Sequence, residues 1–220
     1  LAAGAALSDT SSSAVSSSRG IDGGTGDDWI YNGAKIESKA EAYADTVSVT
    51  ATISGTKTGV AGGASLSDSS AQTIAAARGI EGGAGQDRIR NDGEIDAKAI
   101  SGADTTSVTV TVNGSLTGVA GGASLSDAAA GAISDASGIS GGDGGDEIAN
   151  AAKISAQATS DVDTTAVTVT LSVSKEGVSG GAALSDTSSS ALSAARGIDG
   201  GAGNDRIWNE GVTEATSNAF

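Results

Sequence analysis

Four stretches of this chain carry the same acidic, glycine-rich octet. They are Gly23-Gly24-Thr25-Gly26-Asp27-Asp28-Trp29-Ile30 and its equivalents from Gly82 to Ile89, Gly141 to Ile148 and Gly200 to Ile207. The common pattern is Gly-Gly-x-Gly-x-Asp-x-Ile. Glycines let the backbone curl so that carbonyl oxygens converge, and an aspartate adds a charged oxygen. Hard oxygen donors in a curled loop suit Ca²⁺ rather than a transition metal. The candidate ion-binding residues are therefore Gly23, Gly24, Gly26 and Asp28, then Gly82, Gly83, Gly85 and Asp87, then Gly141, Gly142, Gly144 and Asp146, then Gly200, Gly201, Gly203 and Asp205. The competing reading makes each octet a tight turn, with the aspartate capping backbone N–H groups. The isoleucine that ends each octet is expected to point inward from the strand that follows.

What positions these octets is a repeat. Leu7, Leu66, Leu125 and Leu184, each followed by Ser-Asp, are 59 residues apart, and so are Asn32, Asn91, Asn150 and Asn209. A fixed period without insertions means one supersecondary unit stacked on copies of itself. The expected architecture is a single all-β domain over 1–220, a parallel β-solenoid with repeats at about 1–58, 59–117, 118–176 and a partial 177–220. Glycine-rich pentads recur inside a unit at Gly59, Gly79 and, faintly, Ala99. That spacing predicts about three coils of some 20 residues per repeat, a rise of ~14 Å per unit and a rod of roughly 50 Å at ordinary strand spacing. Leu1 falls where Val60 and Val119 fall later, and the pattern drifts from Val212 to Phe220. The expected context is a processed subunit or a piece of a longer array.

Alternation marks the clearest strands, Thr46–Ile53, Thr105–Val112 and Thr164–Val173. Period 2 with β-branched residues indicates a half-buried strand, read here with the valines toward the core and the threonines toward solvent. Ile30 to Ile36 and Ile89 to Ile95 predict strands broken by an Asn/Gly corner. Asp68 to Gly79 has helical features, a capping Asp and Ala75-Ala76-Ala77, but its equivalent Asp9 to Gly20 is serine-rich, so extended coil is preferred. Aromatic residues are 2% of the chain, so the core is expected to be narrow and built from Val, Ile, Leu and Ala.

The octet resembles the calcium-binding nonapeptide of RTX β-roll proteins, G-G-x-G-x-D-x-U-x, within large bacterial extracellular repeat proteins of adhesin type. The resemblance covers eight residues in 59 and implies a secreted, calcium-dependent fold. In the RTX roll the motifs follow one another directly, with an ion between successive turns. Here one motif occurs per repeat, so a partner turn is expected from elsewhere. The segment Gly62 to Asp68 is the candidate, with its equivalents ending at Asp127 and Asp186, which would place Asp68 near Asp87, Asp127 near Asp146 and Asp186 near Asp205.

Composition narrows the function. Cys, His, Met and Pro are absent, which removes disulfides and thiolate or imidazole metal sites. The net charge of −15, from 12 Lys and Arg against 27 Asp and Glu, argues against nucleic acid and favours cations. No apolar run approaches the ~18 residues of a membrane helix. Without histidine, and with no cluster peculiar to one repeat, an enzyme with a small-molecule substrate is not expected. The expectation is a structural, non-catalytic protein at the cell surface or outside it. It would form a rod or filament, join end to end with other copies of itself or with further repeats of the same chain, and hold Ca²⁺. A calcium-dependent adhesin module is the second reading. An ice-binding solenoid, using Thr50, Thr109 and Thr168 as a flat solvent-facing ladder, is a third.

Overall fold

The computed structural model describes Leu1–Phe220, all of it strand, turn or corner and none of it helix. The elements are β1 (Ala2–Asp22), β2 (Trp29–Asn32), β3 (Ile36–Ala84), β4 (Arg88–Asn91), β5 (Ile95–Asp143), β6 (Glu147–Asn150), β7 (Ile154–Ala202), β8 (Arg206–Asn209) and β9 (Thr213–Ala219). The long ones form one sheet in the order β1-β3-β5-β7-β9, and the short ones a second, β2-β4-β6-β8. Every pairing is parallel. The chain is a parallel β-solenoid, as the repeat required.

The coil is much larger than the glycine pentads suggest. Ala40 lies beside Ala99 and Ala99 beside Ala158, and Leu66 lies between Leu7 and Leu125. Each residue thus pairs with its equivalent 59 positions away, so one repeat is one layer and not three coils. The unit rise becomes about 4.8 Å, and the four layers span roughly 20 Å rather than 50 Å. The molecule is correspondingly broad, because a limb such as 36–56 runs about 70 Å at ordinary strand rise.

Each layer is a flattened loop. One limb, 36–56 in the first complete layer, turns back at Gly59 onto the limb 60–80. Gly59, Gly118 and Gly177 make this arch with φ of 103°, 129° and 141°, a region closed to most L side chains. Hydroxyls join the limbs across the interior. Thr50, Thr52 and Ser54 donate to the carbonyls of Leu66, Ala64 and Gly62 at 3.2, 3.3 and 2.8 Å. Further from the arch the limbs meet through alanines, among them Ala40, Ala77, Ala97, Ala99, Ala136 and Ala158. The far end opens around Ile30, Ile36, Ile80, Ile89, Ile95, Ile139, Ile148 and Ile154, all buried. There β2, β4, β6 and β8 close the loop, and the corner after each, with glycine at Gly33, Gly93 and Gly211 and Ala151-Ala152 after β6, sets up the next limb. Asp68 to Gly79 is strand throughout, as preferred from the sequence.

The alternation is inverted relative to expectation. Thr109 and Thr111 are fully buried and Thr50 is 3% exposed, whereas Val49 and Ile53 are 63% and 81% exposed. The leucine row Leu7, Leu66, Leu125 and Leu184 also faces outward. Threonine and valine have nearly one shape, so alternation reports the period and not which face is inside. The facing limb decides. Its inward residues, Ser65 and Ser67 with Ser124 and Ser126, are small and polar, and their hydroxyls join those of the first limb. The core near the arch is therefore hydroxyl and alanine, with valine and leucine outside. Burial of the Thr50 and Thr109 ladder also removes the flat solvent-facing threonine surface that an ice-binding reading needs.

This inversion predicts mutational signs. Thr109→Val removes a buried hydroxyl that donates to the Leu125 carbonyl at 3.0 Å and is expected to cost about 1 kcal/mol. Val108→Thr, one residue away on the outer face, is expected to change stability by less than about 0.5 kcal/mol. Denaturant melts of the two variants check this; the opposite ranking would restore the valine-in orientation.

Candidate functional site

The octets stand directly on one another at the closed end of the coil. β1, β3, β5 and β7 each run into an octet and β2, β4, β6 and β8 each leave one. Because a coil is one repeat long, the partner turn of each octet is the next octet. Asp28, Asp87, Asp146 and Asp205 consequently form a single file.

One oxygen of Asp87, of Asp146 and of Asp205 serves the backbone. The Asp28 N–H donates to Asp87 Oδ1 at 2.9 Å, the Asp87 N–H to Asp146 Oδ1 at 2.8 Å, and the Asp146 N–H to Asp205 Oδ1 at 2.9 Å. This is the capping role of the turn reading, carried out between layers. The other oxygen is different. Oδ2 of Asp28, of Asp87 and of Asp146 is buried without a hydrogen-bond partner. Asp87 and Asp146 are 2% and 1% exposed. An unpartnered buried carboxylate oxygen costs more than a neutral group in the same place.

The glycines explain themselves by contact. A side chain at Gly82, Gly141 or Gly200 would collide with Oδ2 of the aspartate five residues on. Gly24, Gly83, Gly142 and Gly201 have φ between 91° and 109°, and Gly26, Gly85, Gly144 and Gly203 between 112° and 143°. These two glycines per octet let the chain leave one strand and enter the next while keeping every layer superposable.

Burial, the largest cause, and the carboxylates of Asp87 and Asp205 raise the Asp146 carboxyl above its ordinary value, against the opposing pull of the Asp87 N–H. No three carboxylates converge as a chelating group; the acids run in file, each contributing one free oxygen. Immediately outside, Asp27, Gln86, Gly145 and Asn204 line a groove that crosses all four layers. Asp27 is committed to the ladder, since its Oδ1 accepts the Gln86 N–H at 2.8 Å.

Asp68, Asp127 and Asp186 do not join this site. They stack on Asp9 and on each other along an outer sheet face, so Asp68 neighbours Asp127 and not Asp87. The proposed pairing assumed a 20-residue coil and fails with it.

Sequence reasoning missed the asparagine file. Asn32 Nδ2 donates to Asn91 Oδ1, Asn91 to Asn150 and Asn150 to Asn209, each at 2.7 Å. The first three of these residues are 5% exposed or less. Their strict spacing was visible, but identical amides bond in file only when the layer spacing equals the repeat. Surface charges pair: Arg19 with Asp22 at 3.0 Å and with Glu81 at 3.1 Å, and Arg196 with Asp199 at 3.6 Å. Such exposed pairs contribute little. Trp29 and Trp208 sit at the corners, 69% and 51% exposed, and the Arg88 guanidinium lies 5.6 Å from the Trp29 ring centre.

Comparison of the chain with protein-family models, with curated proteins and with solved structures finds no match.

Proposed function

We propose that the protein is a structural, non-catalytic element of an extracellular or cell-surface filament or adhesin stalk, stabilised by Ca²⁺. The observation that supports this reading best is superposition. Every layer repeats the last residue for residue, so the molecule presents rows of like groups and no site that belongs to one layer alone. A parallel stack can be lengthened by another layer of the same kind, from the same chain or from a second copy placed head to tail, and such contacts build open filaments.

The calcium part rests on the free Oδ2 atoms. An ion lying between two layers would take one such oxygen from each and complete its shell with backbone carbonyls and water, as calcium's flexible oxygen coordination allows. The ion would offset the burial of adjacent like charges. A calcium-dependent adhesin module shares this chemistry and differs in requiring the ion to fold at all.

Circular dichroism and negative-stain electron microscopy of the chain, in EGTA and then with Ca²⁺ restored, test the reading. Calcium is expected to raise the melting temperature, with rods longer than one chain present in its company. Rods in both conditions with an unchanged melting temperature would leave the filament and remove the ion. Single particles in both, at every concentration, would remove the filament. β-structure that appears only with Ca²⁺ would favour the adhesin module.

A further inference from the structure

We infer that the outer face of the arch limb is a self-association surface, on which a second copy of this chain packs side by side. It goes beyond end-to-end growth, because the contact is lateral. The face comprises the rows Val49, Val108 and Val167, then Ala51, Val110 and Val169, then Ile53, Val112 and Leu171. Val167, Val169 and Leu171 are 42%, 48% and 52% exposed. No charged residue stands among the outward positions 47–55, 106–114 or 165–173. A contiguous apolar patch of this kind marks a contact surface rather than scattered surface apolarity.

The sequence on either side of the patch points to a second copy as the occupant. A two-fold axis parallel to the stacking direction, passing over the Ala51 row, reverses the strands and keeps the layers in step. Residue 53 then faces 49, residue 55 faces 47, and residue 57 faces 45. In the first layer a large residue meets a small one, Val47 over Gly55. Opposite charges meet at the rim in the first and third layers, Asp45 over Lys57 and Asp163 over Lys175, while in the middle layer Asp104 meets Leu116. Electrostatic complementarity of this kind fixes partner and register. Another solenoid also has side-chain rows at the same ~4.8 Å layer spacing, so the rows can interdigitate as in packed sheets.

Size sets the affinity. Nine residues by three layers cover about 430 Å² per partner at ordinary strand dimensions, near half of the ~800 Å² of a typical specific interface. The contact of this chain alone is therefore weak, on the order of 100 μM. It strengthens with every further layer, which suits the bundling of long filaments.

The chain lacks cysteine, so single thiols report the contact cleanly. Ala51→Cys chains treated with a short bis-maleimide are expected to give covalent dimers at high protein concentration, whereas Gln72→Cys, exposed in the row Ser13, Gln72, Gly131 and Ser190 of the other limb, is not. Ile53→Glu, at a position 81% exposed, is expected to weaken the dimer at least about tenfold in sedimentation equilibrium without changing circular dichroism or end-to-end rods. Equal cross-linking from positions 51 and 72 would overturn the proposal. So would an unaltered dimer in Ile53→Glu. Binding of the face to neutral lipid vesicles by a chain that stays monomeric at the highest concentrations would overturn it as well. Loss of rods alone would count against the filament reading and leave this one standing.

Discussion

Gly142→Ala is expected to destabilise the protein by at least about 3 kcal/mol, through backbone strain at one residue and forced separation of two layers. Gly142 has φ of 108°, and a Cβ there would run into the carbonyl oxygen of Gly83 in the layer beside it. Gly83 and Gly201 occupy the same place in their own layers, so the strain cannot be relieved by moving one turn without moving the whole file. Gly180→Ala is the control. It has ordinary φ and no atom within 4 Å of the added methyl. Its expected effect is zero or a slight gain, from lost freedom in the unfolded chain. Thermal and denaturant melts of the pair give the comparison. Equal, small effects would mean that the octets do not stack in register.

The second large effect concerns charge. With Ca²⁺ removed, the double variant Asp87→Asn, Asp146→Asn is expected to be more stable than the parent at neutral pH, by about 1 kcal/mol or more per site. Each substitution keeps an Oδ1 for the neighbouring N–H and removes a buried charge whose second oxygen has no partner. With Ca²⁺ present the order is expected to reverse, because the variant has lost the ion's charged donors. Acid should act on the parent as the substitution does. The Asp146 carboxyl titrates above its ordinary 3.8 in the folded chain, chiefly through burial. Between 3.8 and the raised value the folded state therefore binds more protons than the unfolded state. This contribution is fully present below 3.8 and is lost as pH rises through the raised value. Asp104, raised by burial and by Asp45 and Asp163, adds to the trend in the same direction. In EGTA the parent is expected to gain stability on mild acidification, and the double variant to gain less. A double variant less stable than the parent in both conditions would mean that the carboxylates act as plain hydrogen-bond acceptors.

Much of the fold was legible. The 59-residue period required stacking, the β-branched alternation marked the limbs, and the Asn-Gly corners separated β2 from β3 and β4 from β5. The inward isoleucines 30, 89 and 148 were read correctly from the end of each octet. The coil size was misread because the arch at Gly59 and the close approach at Gly79, where a Cβ would meet Ile95 and the Gly138 carbonyl, both call for glycine, and their spacing mimics a smaller coil. The faint third echo at Ala99 was the contrary sign. A long limb passes straight through it, so no turn residue is needed there. The orientation of the limbs was misread because valine is the better apolar residue, whereas hydroxyls of the two limbs satisfy one another across a narrow gap. Small residues flanking each outward leucine, serine on both sides of Leu66 and Leu125 and Ala-Leu-Ser at Leu7 and Leu184, carried that information in period 2. The aspartate file lay in the octets from the start. Which aspartates share a site depended on the coil size, and for that reason Asp87 was assigned to Asp68 instead of Asp28 and Asp146.

That one repeat makes one layer underlies every row described above, and electron paramagnetic resonance tests it directly. Nitroxide labels on Ala64→Cys and Ala123→Cys in one chain occupy stacked, outward positions of adjacent layers. At one strand spacing, about 4.8 Å between backbones, the two labels are expected to show strong spin exchange that persists when labelled chains are diluted into unlabelled ones. Labels at positions 64 and 84, one 20-residue step apart, are expected to show none. Exchange in the second pair and not in the first would contradict the 59-residue layer and restore the smaller coil.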